Sequence, residues 1–503
     1  MCDFFCIFIA SFKQVMLTPQ QSLPFSNYSG LYDIVVPKDH LLRQINDLID
    51  FSFVYEELVS KYTKDKGRRA ESPIRLFKYL LLKVIYDLSD VDVVEHSRYD
   101  MSYKYFLGMI PEEDVIDSST LTKFRKLRLK DLELLDMLIG KTVEIAITKG
   151  IIKSNSIIVD ATHSGSRSNP YSPIQALKLR SKQLRKVLYD TQEGIKDILP
   201  TKNTDDNLEH ELVYTQSLID KVSEDQILIN TPKVQERLNL LKETLVDIKD
   251  HYTTSKDKDA RVGHKTRDNH FFGYKSHIAM TPERIITAAT ITSGEKGDGP
   301  QLPELVEKSR HNGIDVQTVI GDAAYSGDSN LKKAKENKYR IIAKVNPSIS
   351  QGFKSESEQW EYNKDAGMYI CPAGHIAIRK AKQGKKNQQK NQTLTYFFDI
   401  EKCKTCTLRN GCYKEGAKSK TYSITIKTDT QKEQLSFQET AEFKYIYRNE
   451  RYKIEAKNAE LKNVLGYDKA ESYGIEAMQM QGAITMFAAN IKRIIKLIAM
   501  KEK

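Results

Sequence analysis

The chain of 503 residues has one tryptophan, six cysteines and no long hydrophobic run. A membrane-spanning helix needs ~18–20 consecutive apolar residues, so the sequence excludes an integral helical membrane protein. The apolar stretch Phe4–Ala10 is short, and no basic residue precedes it as in a secretory signal. No grouping of Ser, Cys or Tyr with a base and an orienting acid stands out, which argues against covalent nucleophilic catalysis. The cysteines are too unevenly placed for a disulfide framework. Cys2 and Cys6 lie near the N-terminus, and Cys371, Cys403, Cys406 and Cys412 fall close together. Clustered thiols in a reducing compartment point to a metal before disulfides.

What is present is an ordinary globular composition, 40% hydrophobic and 29% charged, which excludes wholesale disorder. Single cores stop growing near ~250–300 residues, so the length predicts several domains or large insertions. Lys and Arg number 78 against 67 Asp and Glu, a net charge of +11. That excess suits a polyanion such as nucleic acid, although mildly basic proteins without such a partner are common. Met16 opens a more ordinary start (MLTPQQSLPF), so residues 1–15 read as an upstream extension. The chain reads as cytosolic.

Residues 16–130 read as helical. Ser72 and Pro73 begin a strongly apolar segment, and five basic residues lie between Lys123 and Lys130. Short helices with basic faces suit a DNA-binding module, and equally a packing domain with a solvated basic face. From 131 onward the pattern changes. SIIVDA (156–161) is a strand closed by an acid, and FFGYKSHIAM and IITAATIT flank the turn TPER as a hairpin. Helix, strand, helix and strand follow, through VQTVIGDAAYSG and YRIIAKVN. This order predicts an α/β fold with three antiparallel strands extended by right-handed crossovers.

Two segments interrupt that core. In 173–250, Leu177, Leu184, Leu188, Ile195 and Leu199, then Val234, Leu238, Leu241, Leu245 and Ile248, keep heptad spacing and predict a helical hairpin. The segment 350–425 holds Trp360, the four clustered cysteines and a basic stretch from Arg379 to Lys390. The amphipathic C-terminal segment is broken by Lys492, Arg493 and Lys496, which predicts packing on the core.

Asp160 and Asp322 each end an apolar run, and a carboxylate there is costly unless paired, protonated or bound to a cation. Sites in open α/β sheets gather at such strand ends. Mg²⁺ prefers a few carboxylates with water and substrate phosphate. Further along, Arg448, Arg451, Glu455 and Lys462 are spaced 3, 4 and 7, which brings them to one helical face. Beside them runs the apolar stripe Ile454, Leu461 and Leu465.

The ordered set IIVDAT, VIGDAAYSG and Arg451-x3-Glu455-x6-Lys462 resembles the DDE transposases of bacterial insertion sequences. It is most similar to the subgroup with a helical N-terminal domain and a cysteine-bearing insertion. The likeness runs from about Met16 to the end. It implies a ribonuclease-H-like catalytic core over 131–503, with Asp160, Asp322 and Glu455 as the triad for Mg²⁺ or Mn²⁺. It also implies that Arg451 and Lys462 hold transposon-end DNA. The family's signature tyrosine falls on Arg448, with Tyr447 and Tyr452 close by.

The implied activity is cleavage of double-stranded DNA at element ends and strand transfer into a target, by a homodimer or larger assembly. A nuclease that cuts without joining, or a DNA-binding protein that has lost its chemistry, are the rival readings. Arg448 and Lys275 are further candidate DNA contacts. His264, Lys265, His277 and Asp298 lie near the same strands. Cys371, Cys403, Cys406 and Cys412 fit a structural zinc site of the ribbon type; three of them with His375 is the alternative.

Overall fold

The computed structural model describes residues 26–62, 70–130, 132–168, 171–192, 194–249, 256–264, 270–345, 360–363, 366–384, 392–410 and 412–502. Residues 1–15, Met16, Lys265 and the end of the basic stretch, 385–390, lie outside them.

The centre is a mixed sheet. Its strands are β1 (Ser156–Gly165), β2 (Arg261–His264), β3 (His270–Met280), β4 (Ile286–Ser293), β5 (Thr318–Ile320) and β6 (Arg340–Ile342). β3 pairs antiparallel with β1 and β4, and β2 pairs with the first residues of β3. β1 pairs parallel with β5, and β5 with β6. The order β4–β3–β1–β5–β6 is thus three antiparallel strands extended by two parallel ones. Helices Leu302–His311 and Asp328–Glu336 make the crossovers into β5 and β6. The hairpin expected around TPER forms, with Thr281 N–H bonded to Ile285 C=O at 2.9 Å.

The first strand departs from expectation. Asp160 does not end β1 but sits in its middle, because Ala161–Gly165 continue the antiparallel ladder against Gly273–His277. The polar residues after Asp160 look like a strand end in sequence; a long partner strand keeps them extended. On its other edge, β1 pairs with β5 only over Ser156–Ile158. Asp160 therefore lies just past the point where the parallel partner stops.

The C-terminal helix Ile475–Lys501 packs on β4 and on helix Leu134–Thr148. Buried Asn490 joins the three elements, accepting from Ile286 N–H and donating to Ile286 C=O and Thr142 Oγ1, each at 2.8 Å. The N-terminal helices share this core. Phe53 and Phe77 each make edge contacts with Phe487 of the C-terminal helix, and one apolar cluster runs from Leu42 to Ile494.

The segment expected as a helical hairpin is a three-helix unit with its own core. Helices Pro173–Thr191 and Pro232–Lys249 are joined by a third, Leu208–Glu224, capped by Asn207. Tyr214, Leu218, Ile219 and Val222 give that third helix its buried face, at spacings of three and four. The first arm stops at Thr191, so Ile195 sits in a 3₁₀ turn and the heptad pattern overstates its length. Residues 360–425 hold an antiparallel three-stranded sheet (Arg379–Gln383, Thr393–Phe398, Lys420–Thr425) and a small hairpin. Their core is Trp360 stacked on Tyr422, with ring centroids 4.4 Å apart.

Candidate active site

Asp160 projects from β1 opposite Ile278 of β3 and is largely but not fully buried. Asp322 follows β5 after one intervening residue, Gly321, and caps a short 3₁₀ turn, accepting from Ala324 N–H at 2.9 Å. Burial raises the Asp160 carboxyl to about 6; the Asp322 and Asp298 charges push the same way, while the Ala161 N–H and Arg451 oppose them. Asp160 thus lies within electrostatic reach of Asp322, in the turn after β5, and of Asp298, in the loop after β4. Mutual repulsion in a partly dry site favours a proton or a cation among them.

The next expected element is interrupted. Ala441–Glu450 and Lys453–Asn463 are separate helices with Arg451 and Tyr452 between them. Bonds from Ile454 N–H to Arg451 C=O and from Glu455 N–H to Tyr452 C=O replace the longer helical step there. Arg448, exposed on the first helix, therefore does not share a regular helical face with Glu455 and Lys462. The apolar stripe is as expected: Ile454, Leu461 and Leu465 are buried. Glu455 stays exposed and pairs with Arg451 at 2.9 Å. Lys462 approaches β1, its Nζ lying 3.4 Å from His163 Nε2.

One residue not singled out in the sequence makes the link to the aspartates. Asn458 donates through Nδ2 to Asp160 Oδ2 at 3.0 Å, and its buried Oδ1 lacks a partner. Its signal was available: it is the polar interruption between Ile454 and Leu461 on an otherwise apolar stripe. Beyond the helix, the chain closes over the open edge of β1, with Gly165 bonded to Asp468 and Ala470 at 2.8 Å each.

Lys275 lies near this centre but is engaged. Its Nζ is 3.0 Å from Asp298 Oδ1 and 3.0 Å from Lys296 C=O, so it serves first to hold the Asp298 loop. His277 is fully buried, 3.6 Å from Asp298 and 3.0 Å from Thr292 Oγ1; burial lowers its pKa to about 4, so it is neutral at physiological pH. His264 lies apart from the acids, on β2 opposite His270. In the N-terminal helices, Arg125 pairs with Asp90, and Arg128 donates to Lys61 C=O. Two of the five clustered basic residues are thereby turned to structure.

The four cysteines gather within electrostatic reach. Burial raises the Cys403 thiol, and Cys412, Cys371 and Cys406 add to that rise. His375 N–H points at Cys371 Sγ and Leu408 N–H at Cys406 Sγ, both at 3.3 Å. Among the described residues, no three His, Cys, Asp or Glu side chains stand close enough to hold a metal ion as placed. This applies to the cysteines and to the three acids alike. No helix among them is long and apolar enough to cross a membrane.

The class that the chain falls in is that of the transposases. Residues 31–127 match the family described as Transposase domain (DUF772), and residues 240–491, half of the chain, match the Transposase DDE domain. The protein belongs to the DDE transposases, of the insertion-sequence type. No curated protein matches the chain. The DDE match begins in the last helix of the three-helix unit, so it takes in Asp322 and Glu455 but not Asp160. Members of this family generally use a divalent metal ion.

Proposed function

We propose that this transposase binds the ends of its element and catalyses DNA cleavage and strand transfer at Asp160, Asp322 and Glu455. The observation that carries the reading is that Asp322 and the helix of Glu455 both reach Asp160, the one through its charge and the other through a hydrogen bond. Strands far apart in sequence place the two aspartates within each other's field, and Asn458 ties that helix to Asp160. The strand order supports a ribonuclease-H-like core, since three antiparallel strands and two parallel ones set both aspartates beside the β1–β5 junction.

The donor set fits a hard cation such as Mg²⁺ or Mn²⁺. Asp160 and Asp322 offer carboxylate oxygens, and the unpartnered Asn458 Oδ1 is a further oxygen on the same side. Glu455 joins them once it leaves Arg451, a rearrangement that anionic DNA competing for the guanidinium would favour. Bound divalent ions supply activation of a water or 3′-hydroxyl and stabilise the leaving oxygen. The chain's own part is positioning. β1 and the capped turn after β5 fix the aspartates, while Arg448, Arg451 and Lys462 offer positive charge to the phosphodiester backbone. Lys275 acts by holding Asp298 and contacts DNA only at the margin of that role.

The same reading takes the N-terminal helices of 16–130 as the end-recognition part of the protein and 131–503 as the catalytic part. It takes 350–425 as a cysteine-rich insertion whose Cys371, Cys403, Cys406 and Cys412, or three of these with His375, hold a structural zinc. The two amides directed at sulfur support thiolate ligands. Synapsis of two ends calls for a homodimer or larger assembly, acting on chromosomal DNA in the cytoplasm. The test uses purified protein, Mg²⁺ and duplex DNA carrying the element's flanking ends. Freed 3′ ends followed by joined products support the reading. Cleavage without joining points to a nuclease, and binding without either overturns the catalytic assignment.

A further inference from the structure

Tyr325 lies three residues beyond Asp322 and is fully buried, yet its hydroxyl has no hydrogen-bond partner. A buried donor left unsatisfied is costly, so its presence in so closed a place calls for a reason. The ring is packed firmly. A Cβ on Gly321 would fall 2.8 Å from Tyr325 Cδ2 and 2.9 Å from Val159 Cγ2, so ring, glycine and valine are in close contact. Gly321 and Val159 are the residues immediately before Asp322 and Asp160. The Tyr325 ring and the Val159 side chain thus both crowd Gly321, beside the backbone segments that carry the two aspartates.

A second anchor fixes the third acid. Buried Asn330 donates from Nδ2 to Gly299 C=O at 2.9 Å and to Tyr325 C=O at 3.1 Å. Gly299 follows Asp298, and a Cβ there would meet Ala324 C=O at 2.6 Å. The loop bearing Asp298 is thus clamped to the turn bearing Tyr325. Asp160, Asp298 and Asp322 all act electrostatically on the Tyr325 hydroxyl.

We propose that Tyr325 is a positioning residue of the acidic centre, whose O–H donates to an aspartate oxygen when a divalent cation draws the carboxylates together. This rests on the metal reading above. A carboxylate that ligates through one oxygen needs a donor at the other, and such outer partners fix its orientation. Asp160 Oδ2 has one such donor in Asn458 and Asp322 Oδ1 one in the Ala324 N–H, and each oxygen can accept a second. Tyr325 is the buried donor still in reserve beside the same pair.

The test compares wild type, Tyr325→Phe and Asp322→Asn as full-length proteins without DNA. Mn²⁺ affinity is read by the electron paramagnetic resonance of free Mn²⁺, and unfolding in chelator is read separately. Tyr325→Phe keeps the ring and removes an unpaired donor, so the metal-free variant is expected to be as stable as wild type or more so. Its Mn²⁺ affinity is expected to fall roughly tenfold or more, the scale seen for outer-shell partners. Unchanged Mn²⁺ affinity overturns the proposal, and so does a loss of metal-free stability, which would mark a purely structural hydroxyl. If Asp322→Asn binds Mn²⁺ as wild type does, the metal reading itself fails, and the inference falls with it.

Discussion

Asn458 Nδ2 donates to Asp160 Oδ2 across 3.0 Å, joining the helix that carries Glu455 to the central strand of the sheet. The two residues are 298 positions apart in the chain. With the buried Ile454, Leu461 and Leu465 on the same helix, this bond holds the helix beside Asp160.

Replacing Asn458 with Ala removes the donor and leaves the Asp160 oxygen unpaired in a site shielded from water. A loss of about 1–3 kcal/mol in stability at neutral pH is expected, measured by denaturant unfolding in chelator. DNA cleavage should fall by more than end binding does. Equal losses of binding and cleavage would mean the bond only holds the fold.

Asp160 predicts a pH dependence with a definite sign. Burial first, and then the charge of Asp322, raise its folded-state pKa to about 6. The unfolded carboxyl titrates near ~3.9, so the metal-free native state holds an extra proton between about 4 and 6. Stability from this group is therefore present below that window and lost as pH rises through it. Unfolding of the chelated protein at several pH values should show stability falling more steeply with rising pH across this window in wild type than in Asp160→Asn. Cation binding should strengthen across the same window, because the cation competes with that proton.

Gly321 has no room for a side chain. A methyl there would press on Tyr325 and Val159, the contacts that set both aspartates. Gly321→Ala is expected to cost about 1–3 kcal/mol, as overpacking does, and to lower metal-dependent cleavage further. Unaltered melting and activity would show that the ring moves aside freely.

The cysteines predict bound zinc in the protein as isolated. Elemental analysis of protein purified without chelator should give about one zinc per chain, lost in Cys403→Ser. Fluorescence of Trp360, stacked on Tyr422 in the same small core, should shift on zinc removal. Zinc-free protein with unchanged fluorescence would favour an insert held by its sheet alone.

Much of this arrangement was legible in the chain. Strand–acid runs at Asp160 and Asp322, the TPER hairpin and the Ile454–Leu461–Leu465 stripe are local patterns, and local patterns survive folding. What was hidden depends on partners. β1 runs past Asp160 because β3 is long enough to pair with Ala161–Gly165. Lys275 looked available for DNA, but its charge is taken by Asp298, 23 residues away. The third helix of the 173–249 unit carries its own amphipathic face, with polar Thr215 interrupting the apolar spacing of Leu208, Leu212, Ile219 and Val222. Asn458 and Tyr325 are single polar groups among apolar neighbours, and only the fold shows what they face.

The central claim is that Asp160, Asp322 and Glu455 act as one centre, although Glu455 is paired with Arg451 in the structure described. The most direct measurement is end cleavage by Asp160→Ala, Asp322→Ala and Glu455→Ala in Mg²⁺, with end-DNA binding followed in parallel. The account predicts that each variant binds the ends as wild type does and cleaves at background level. A Glu455→Ala protein that still cleaves at the wild-type rate would contradict it, leaving Glu455 as a surface ion-pair residue.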